Sequence, residues 1–275
     1  MSYRSVLVHV DNDTASRTRL DYAVRLARGF DAELVGIYLV PGTDLTPSSA
    51  AMLRPEVVAR RLAEFGDAQH AAETAFRTAA AGLAAVDWRA PAGAPLDAAV
   101  AHGRCTDLFV LGQRDAATAS LGDALVSSVL LSTGRPTLVV PHTGAPASVG
   151  ENVLVAWNGG REAARAIGDA LPLLERAKHI DIVAVDDDAE PAVAERLAGA
   201  RLDAWLRAHG IAASVERQEV RDIGIGDWLL DRVADLGSDL LVMGGYGHAR
   251  MRELVLGGVT RTVLRSMTVP VFMAH

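Results

Sequence analysis

Asp239-Leu240-Leu241-Val242-Met243-Gly244-Gly245-Tyr246-Gly247 is the stretch that decides how this chain folds. The short apolar run from Asp239 to Met243 reads as a strand buried on both faces. Past the loop, Gly257-Gly258-Val259-Thr260 opens a helix-like run from Val259 to Arg265. Gly244, Gly247 and Gly257 therefore surround a strand-to-helix connection. Bare backbone can close on an anion there, because glycine permits unusual dihedrals and a helix N-terminus presents free N–H groups.

The same strand occurs earlier in the chain. Asp107-Leu108-Phe109-Val110-Leu111-Gly112 matches Asp239 to Gly244 in pattern, and around each copy the same order of elements repeats. Val6-Leu7-Val8-His9-Val10-Asp11 opens the first half and Val153-Leu154-Val155-Ala156-Trp157-Asn158 opens the second, each an apolar run ending in an Asx residue. Helical patterns follow, carried by Leu20, Ala23, Val24 and Ala27 and by Ala163, Ala166, Ile167, Ala170 and Leu174. Second strands are expected at 32–40 and 180–185, long Ala-rich helices at 55–81 and 192–209, third strands near 86–90 and 212–219, and third helices near 96–103 and 225–236. Each half closes with a helix and a proline-led strand, Pro136 to Val140 and Pro270 to Met273.

Strand and helix in alternation imply right-handed crossovers and a parallel sheet covered on both faces. The expected architecture is two tandem doubly wound α/β domains, each a five-stranded parallel sheet flanked by four helices. Residues 142–151, His142-Thr143-Gly144-Ala145-Pro146-Ala147-Ser148-Val149-Gly150-Glu151, are rich in turn formers and read as a linker between domains at 1–141 and 152–275.

Composition narrows the function. A net charge of −7 with no Lys/Arg run argues against a nucleic-acid surface. One cysteine, Cys105, leaves neither a disulfide framework nor a zinc cluster. No apolar run approaches the roughly 18–20 residues of a membrane span, and Met1-Ser2-Tyr3-Arg4 enters a strand with no signal-peptide pattern, so a cytoplasmic protein is expected. Catalytic signatures are missing: there is no Gly-x-Ser-x-Gly elbow, no metal-binding His-Glu pair and no Gly-x₄-Gly-Lys-Ser/Thr loop. Nothing nominates a general base, and the expectation is a non-enzyme.

On these residues the sequence resembles a tandem universal stress protein over both halves. Nucleotide-binding members of that family carry Gly, two residues, Gly, nine residues, Gly and then Ser or Thr; here the series is Gly244, Gly247, Gly257 and then Gly258. The resemblance implies an adenine nucleotide α-hydrolase-like, Rossmann-like fold whose two halves pack as an intrachain pseudo-dimer through their last strands. It implies an adenine nucleotide, ATP with Mg²⁺, at the C-terminal ends of the strands, in keeping with the rule for doubly wound sheets. Carried over, Ala156, Trp157 and Asn158 flank base and ribose, Val185 packs on the adenine, and Met243 lines the pocket floor. Gly244, Gly247, Gly257, Gly258 and Val259 offer backbone N–H groups to phosphates.

Two departures weaken the implied site. Gly258 replaces the hydroxyl residue, and a hydrogen bond to a charged group contributes about 1.5–3 kcal/mol. Asn158 replaces an Asp, removing a charge and adding donors. Thr260 offers a nearby hydroxyl. In the N-terminal half, Asp11 is present, but Asp115 replaces the second glycine and Asp123 lies beside Gly122, setting negative charge where phosphates would sit. That copy is expected not to bind a nucleotide triphosphate.

Plainer readings stand beside these. The glycines also fit simple turn and packing roles; Asp11 and Asn158 also fit Asx turns, Asn158 with Gly159 and Gly160. Asp186-Asp187-Asp188 reads as a solvated acidic turn more readily than as a magnesium site, and His248 as an exposed loop residue. His9 reads as a packed histidine. The sequence leaves three functions open: a stress-response module sensing an adenine nucleotide, an interaction protein of the same family contacting an unidentified protein, and a slow ATP hydrolase. A further homodimer is left open as well.

Overall fold

A computed structural model of the chain describes residues 2–39, 54–114, 121–185, 200–218, 224–247 and 258–275. The N-terminal half contains β1 (Ser5–Val10), α1 (Thr14–Phe30), β2 (Glu33–Tyr38), α2 (Pro55–Ala79), β3 (Val86–Arg89), α3 (Pro95–Gly103), β4 (Leu108–Gly112), α4 (Gly122–Ser132) and β5 (Thr137–Val140). The C-terminal half repeats the series as β6 (Asn152–Trp157), α5 (Arg161–Leu174), β7 (His179–Val185), α6 (Ala200–Ala208), β8 (Ser214–Gln218), α7 (Ile225–Asp235), β9 (Leu240–Gly244), α8 (Gly258–Ser266) and β10 (Val271–Ala274).

All ten strands form one sheet in the order β3-β2-β1-β4-β5-β10-β9-β6-β7-β8. Within each half the pairing is parallel, with Val6 opposite both Leu34 and Leu108, and Val153 opposite both Ile180 and Leu240. The halves meet through β5 and β10, which run antiparallel with Phe272 opposite Leu138. The expected pseudo-dimer through the last strands is therefore a continuous sheet.

The repeat has a physical basis at the start of each fourth strand. Asp107 Oδ2 accepts the backbone N–H groups of Arg4 and Ser5, at 2.7 and 3.1 Å. Asp239 does the same for Glu151 and Asn152, each at 3.0 Å. One carboxylate thus fixes the entry of the first strand against the fourth in both copies, which holds their register.

Each face of the sheet carries one apolar cluster that spans both halves. On one face Tyr22, Leu26 and Phe76 join Ile167, Leu171 and Leu206; on the other Leu125, Val129 and Leu130 join Leu229, Val233 and Val263. Alanine at 163, 166 and 170 lets α5 lie close to the strands, and all three are buried. Polar ties add to the junction. Tyr3 Oη donates to Asp169 O at 2.7 Å, and the Arg176 guanidinium stacks over the Phe30 ring at 3.8 Å. Arg25 reaches the linker, donating to the carbonyls of Pro146 and Ala147. Among the described residues no helix is long and apolar enough to cross a membrane.

Candidate functional site

In a 3-2-1-4-5 sheet the chain leaves the first and fourth strands in opposite directions, so a crevice opens between their carboxyl ends. In the C-terminal half those strands are β6 and β9, and a cleft with about 760 Å³ of empty space, open solvent included, lies there. Its apolar walls come from Ala156, Met243, Ile225 and Leu229. Its rim comes from Trp157, Asn158, Gly247, Gly258 and Val259. Gly244, Tyr246, Glu162, Ala163 and Thr260 complete the lining.

Most of the residues expected from sequence thus meet in one place. Ala156, Trp157, Asn158, Met243, Gly244, Gly247, Gly258 and Val259 all line the cleft. Val185 ends β7, and its side chain lies outside the described residues, as does the whole of Gly257. Asp115, Asp186, Asp187, Asp188 and His248 also fall outside them.

The glycines serve different ends. A Cβ on Gly244 would stand 2.6 Å from Ala163 N and 2.7 Å from Glu162 C, so its bareness lets the first turn of α5 rest on the strand end. A Cβ on Gly247 would stand 3.1 Å from Glu162 Oε2. A Cβ on Gly258 would meet nothing within 4 Å. Close packing accounts for Gly244, whereas a side chain at Gly258, the first residue of α8, would meet no such contact.

Three helices, α5, α7 and α8, bring their N-terminal ends to the cleft, through Glu162, Ile225 and Gly258. Their dipoles favour an anion there. One anion is already present. Glu162 is 7% exposed, and its Oε1 accepts from Arg161 Nε at 2.5 Å. Burial alone would raise its pKa, but hydrogen bonds from Arg161 and from its own backbone N–H, with the charges of Arg161 and His275, hold it below the usual glutamate value. Glu162 is a carboxylate at neutral pH.

Two polar residues are committed to local structure. Asn158 Oδ1 accepts the Gly160 N–H at 3.0 Å, an Asx turn completed by Gly159 at φ 72°. Thr260 Oγ1 accepts the Tyr246 N–H at 3.3 Å, so the hydroxyl expected to serve a ligand also supports the loop. Tyr246 is strained: its φ is 63°, in the left-handed region that costs an L-residue about 1–2 kcal/mol. Its ring is buried, and His275 stands edge-on to it at 6.5 Å.

The comparisons with known proteins agree with this architecture. The model of the universal stress protein family matches residues 2–141 and again residues 150–275. This chain belongs to the universal stress protein family. Over 182 residues it is 29% identical to Universal stress protein Slr1230 of Synechocystis sp., a match covering 60% of this chain and 56% of that relative. A solved universal stress protein from Archaeoglobus fulgidus DSM 4304 superimposes with a TM-score of 0.70 at 19% identity, covering 98% of this chain and 97% of the other. The functionally unknown protein PA1789 from Pseudomonas aeruginosa PAO1 gives a TM-score of 0.57 at 16% identity, over 98% and 92%. At such identities the likeness speaks for the fold.

The N-terminal universal stress domain handles the same position differently. Counted from Val6 and Val153, which hold matching registers, His9 stands where the other half has Ala156, and Asp11 where it has Asn158. Arg19 fills the space beside them. It is 4% exposed, donates to His9 O at 2.6 Å and Ser16 Oγ at 3.1 Å, and pairs with Asp11 Oδ1 at 3.0 Å. A Cβ on Gly112 would lie 2.1 Å from Arg19 Nη1. Asp11 also accepts the Asp13 N–H at 3.1 Å, the Asx turn that sequence had offered as its plainer role. Asp123 pairs with Arg114 at 3.4 Å.

Sequence reasoning passed over Arg19, Glu162 and Tyr246. Arg19 carried a signal, since it stands four residues before Ala23 on the buried face of α1. Glu162 carried none that separates it from an ordinary first-turn acid. Tyr246 sits between Gly245 and Gly247, and nothing in its identity announces a left-handed backbone.

Proposed function

We propose that this universal stress protein is a regulatory module that binds an adenine nucleotide in the cleft of its C-terminal half, and is not an enzyme. The observation that supports the reading is that the N-terminal residues of α8, Gly258 and Val259, line the same cleft as the apolar residues Ala156, Met243, Ile225 and Leu229, at the switch point of the sheet. A flat base fits against Ala156, Met243, Ile225 and Leu229, while the N–H groups of Gly258 and Val259 suit a phosphate oxygen. Trp157 and Asn158 would then border the ribose.

ATP with Mg²⁺ is the family's implied ligand, and the residues present fit it unevenly. The base and first phosphate find complementary surfaces, whereas Glu162 opposes added negative charge. Among the described residues no three His, Cys, Asp or Glu side chains converge as a metal site, so a bound Mg²⁺ would depend on the nucleotide's phosphates for most of its ligands.

Binding is tested by isothermal titration and thermal shift with adenine nucleotides. Gly258→Leu is the informative variant, because open space around Gly258 admits the side chain without backbone strain while blocking the cleft. Saturable binding to the parent that is lost in Gly258→Leu is the expected result. No heat and no shift with adenosine, AMP or millimolar ATP–Mg would refute the reading.

A second reading, an interaction protein that holds no nucleotide, is favoured by the Glu162 carboxylate facing Gly247. It expects partner capture that is indifferent to nucleotide and to Gly258→Leu. In either case we take the working units as 1–141 and 152–275 joined by 142–151, in a cytoplasmic protein.

A further inference from the structure

The geometry points to Glu162 as a charge filter: the cleft accepts the nucleoside end of its ligand and discriminates against a phosphate chain that arrives without a divalent cation. This deepens the nucleotide reading and rests on it.

Glu162 lies at the second position of α5, where the helix N-terminus and its own N–H favour the ionised form. Its two oxygens face different surroundings. Oε1 is held by Arg161, whose side chain is 80% exposed and so surrounded by water. Oε2 is directed at the glycine loop, 3.1 Å from where a Gly247 Cβ and 3.4 Å from where a Gly160 Cβ would stand. Of the two, Gly247 belongs to the set that the family resemblance assigns to phosphates, while the Gly160 N–H is taken by Asn158 Oδ1. A phosphate settling against Gly247 would therefore meet a carboxylate oxygen at close range in a partly enclosed site.

The exposed Arg161 guanidinium is screened by solvent and offsets only part of that repulsion. His275 also lowers the Glu162 pKa, with its Nδ1 engaged with Gly245 O at 3.0 Å. Ala156, Met243, Ile225 and Leu229 in the cleft lining carry no charge, so they do not penalise an uncharged adenosine. Discrimination follows from the difference between the two ends of the ligand. A divalent cation shared between Oε2 and phosphate oxygens would convert the repulsion into a bridge.

The test measures affinities of adenosine, AMP and ATP by titration calorimetry, in EDTA and in Mg²⁺, for the parent, Glu162→Gln and Arg161→Ala. In EDTA the parent is expected to bind adenosine at least about tenfold more tightly than ATP, equivalent to about 1.4 kcal/mol. Mg²⁺ should narrow that gap. Glu162→Gln should raise the ratio of ATP to adenosine affinity in EDTA by at least roughly tenfold and abolish most of the Mg²⁺ effect. Arg161→Ala should lower the ratio. Equal affinity of the parent for adenosine and metal-free ATP, or an unchanged ratio in a Glu162→Gln protein whose melting temperature matches the parent's, would overturn the inference while leaving nucleotide binding intact. If adenosine, AMP and ATP all fail to bind every variant, the nucleotide reading falls and the filter with it.

Discussion

Tyr246 Oη lies 2.7 Å from Ser127 Oγ, a hydrogen bond that crosses from the cleft loop of the C-terminal half to helix α4 of the N-terminal half. The same tyrosine lines the cleft, holds a left-handed backbone, and donates its N–H to Thr260 Oγ1. Burial raises its phenol pKa despite the Ser127 hydrogen bond, so the hydroxyl stays protonated at neutral pH. One residue therefore couples the cleft wall, the start of α8 and the opposite half. Tyr246→Phe should cost about 0.5–1.5 kcal/mol, and Ser127→Ala a similar amount. In a double-mutant cycle by urea denaturation the two losses should fall short of additive, because they remove the same bond. Additive losses would show that the hydroxyls act separately.

The buried pair in the N-terminal half predicts an asymmetric mutational response. Arg19→Ala removes the partner of Asp11 and the donors to His9 O and Ser16 Oγ at once, and should destabilise by on the order of 3 kcal/mol. Arg19→Met with Asp11→Asn, which removes both charges and keeps volume, should recover much of that loss. Denaturant midpoints decide it; equal losses in the single and double variants would contradict the pairing.

His9 makes stability depend on pH. Burial first, and Arg19 second, lower its pKa from 6.5 to about 4, with Asp11 pulling the other way. Its Nε2 has no hydrogen-bond partner among the described residues. Between those two pH values the unfolded chain takes up a proton that the folded chain refuses. The contribution is thus complete above pH 6.5 and is lost as pH falls toward 4, amounting to roughly 3 kcal/mol. Asp11, whose pKa is lowered by Arg19 against the effect of burial, loses its contribution only further into acid. A His9→Leu variant should show a flatter melting-temperature profile between pH 7 and pH 4.5 than the parent.

Gln113 joins the halves from the other direction. Its Nε2 donates to Leu264 O at 2.9 Å and Arg265 O at 3.0 Å, carbonyls at the end of α8, while its Oε1 accepts the His142 N–H at 3.1 Å. Gln113→Leu leaves these buried or partly buried groups without partners and should cost about 1–3 kcal/mol. His142→Ala, which keeps the backbone donor, should cost less.

Gly244→Ala and Gly258→Ala should separate packing from openness. The first forces a methyl into the backbone of α5 and should cost several kcal/mol, on the scale of overpacked cores. The second meets open space and should be neutral or stabilising by up to about 1 kcal/mol. Thermal melts of the two variants side by side provide the check.

Architecture was legible because it rests on features that sequence writes in order: paired apolar runs, Asx endings, and the matching Asp107 and Asp239 that tie first strand to fourth. Much of the cleft was legible too, since Ala156 to Asn158 and Met243 to Gly247 sit at strand ends whose position follows from topology. What escaped depends on contacts distant in sequence. Arg19 plugs the space beside Gly112 only after α1 docks, and Glu162 enters the cleft only because α5 lies on Gly244. Asp115 and Asp123 were the expected obstacles to a ligand in the first half; Asp115 lies outside the described residues, and Asp123 is answered by Arg114.

The antiparallel seam between β5 and β10 fixes more than shape. Two strand borders that separate chains could exchange are consumed inside one molecule, so dilution does not part the halves and a single-domain relative finds no vacancy to enter. Each molecule carries one open cleft and one occupied by its own arginine, in a ratio set by covalent linkage. If the open cleft takes a ligand, as proposed, its sites are counted once per chain, without the partly filled states of a freely mixing pair of identical subunits.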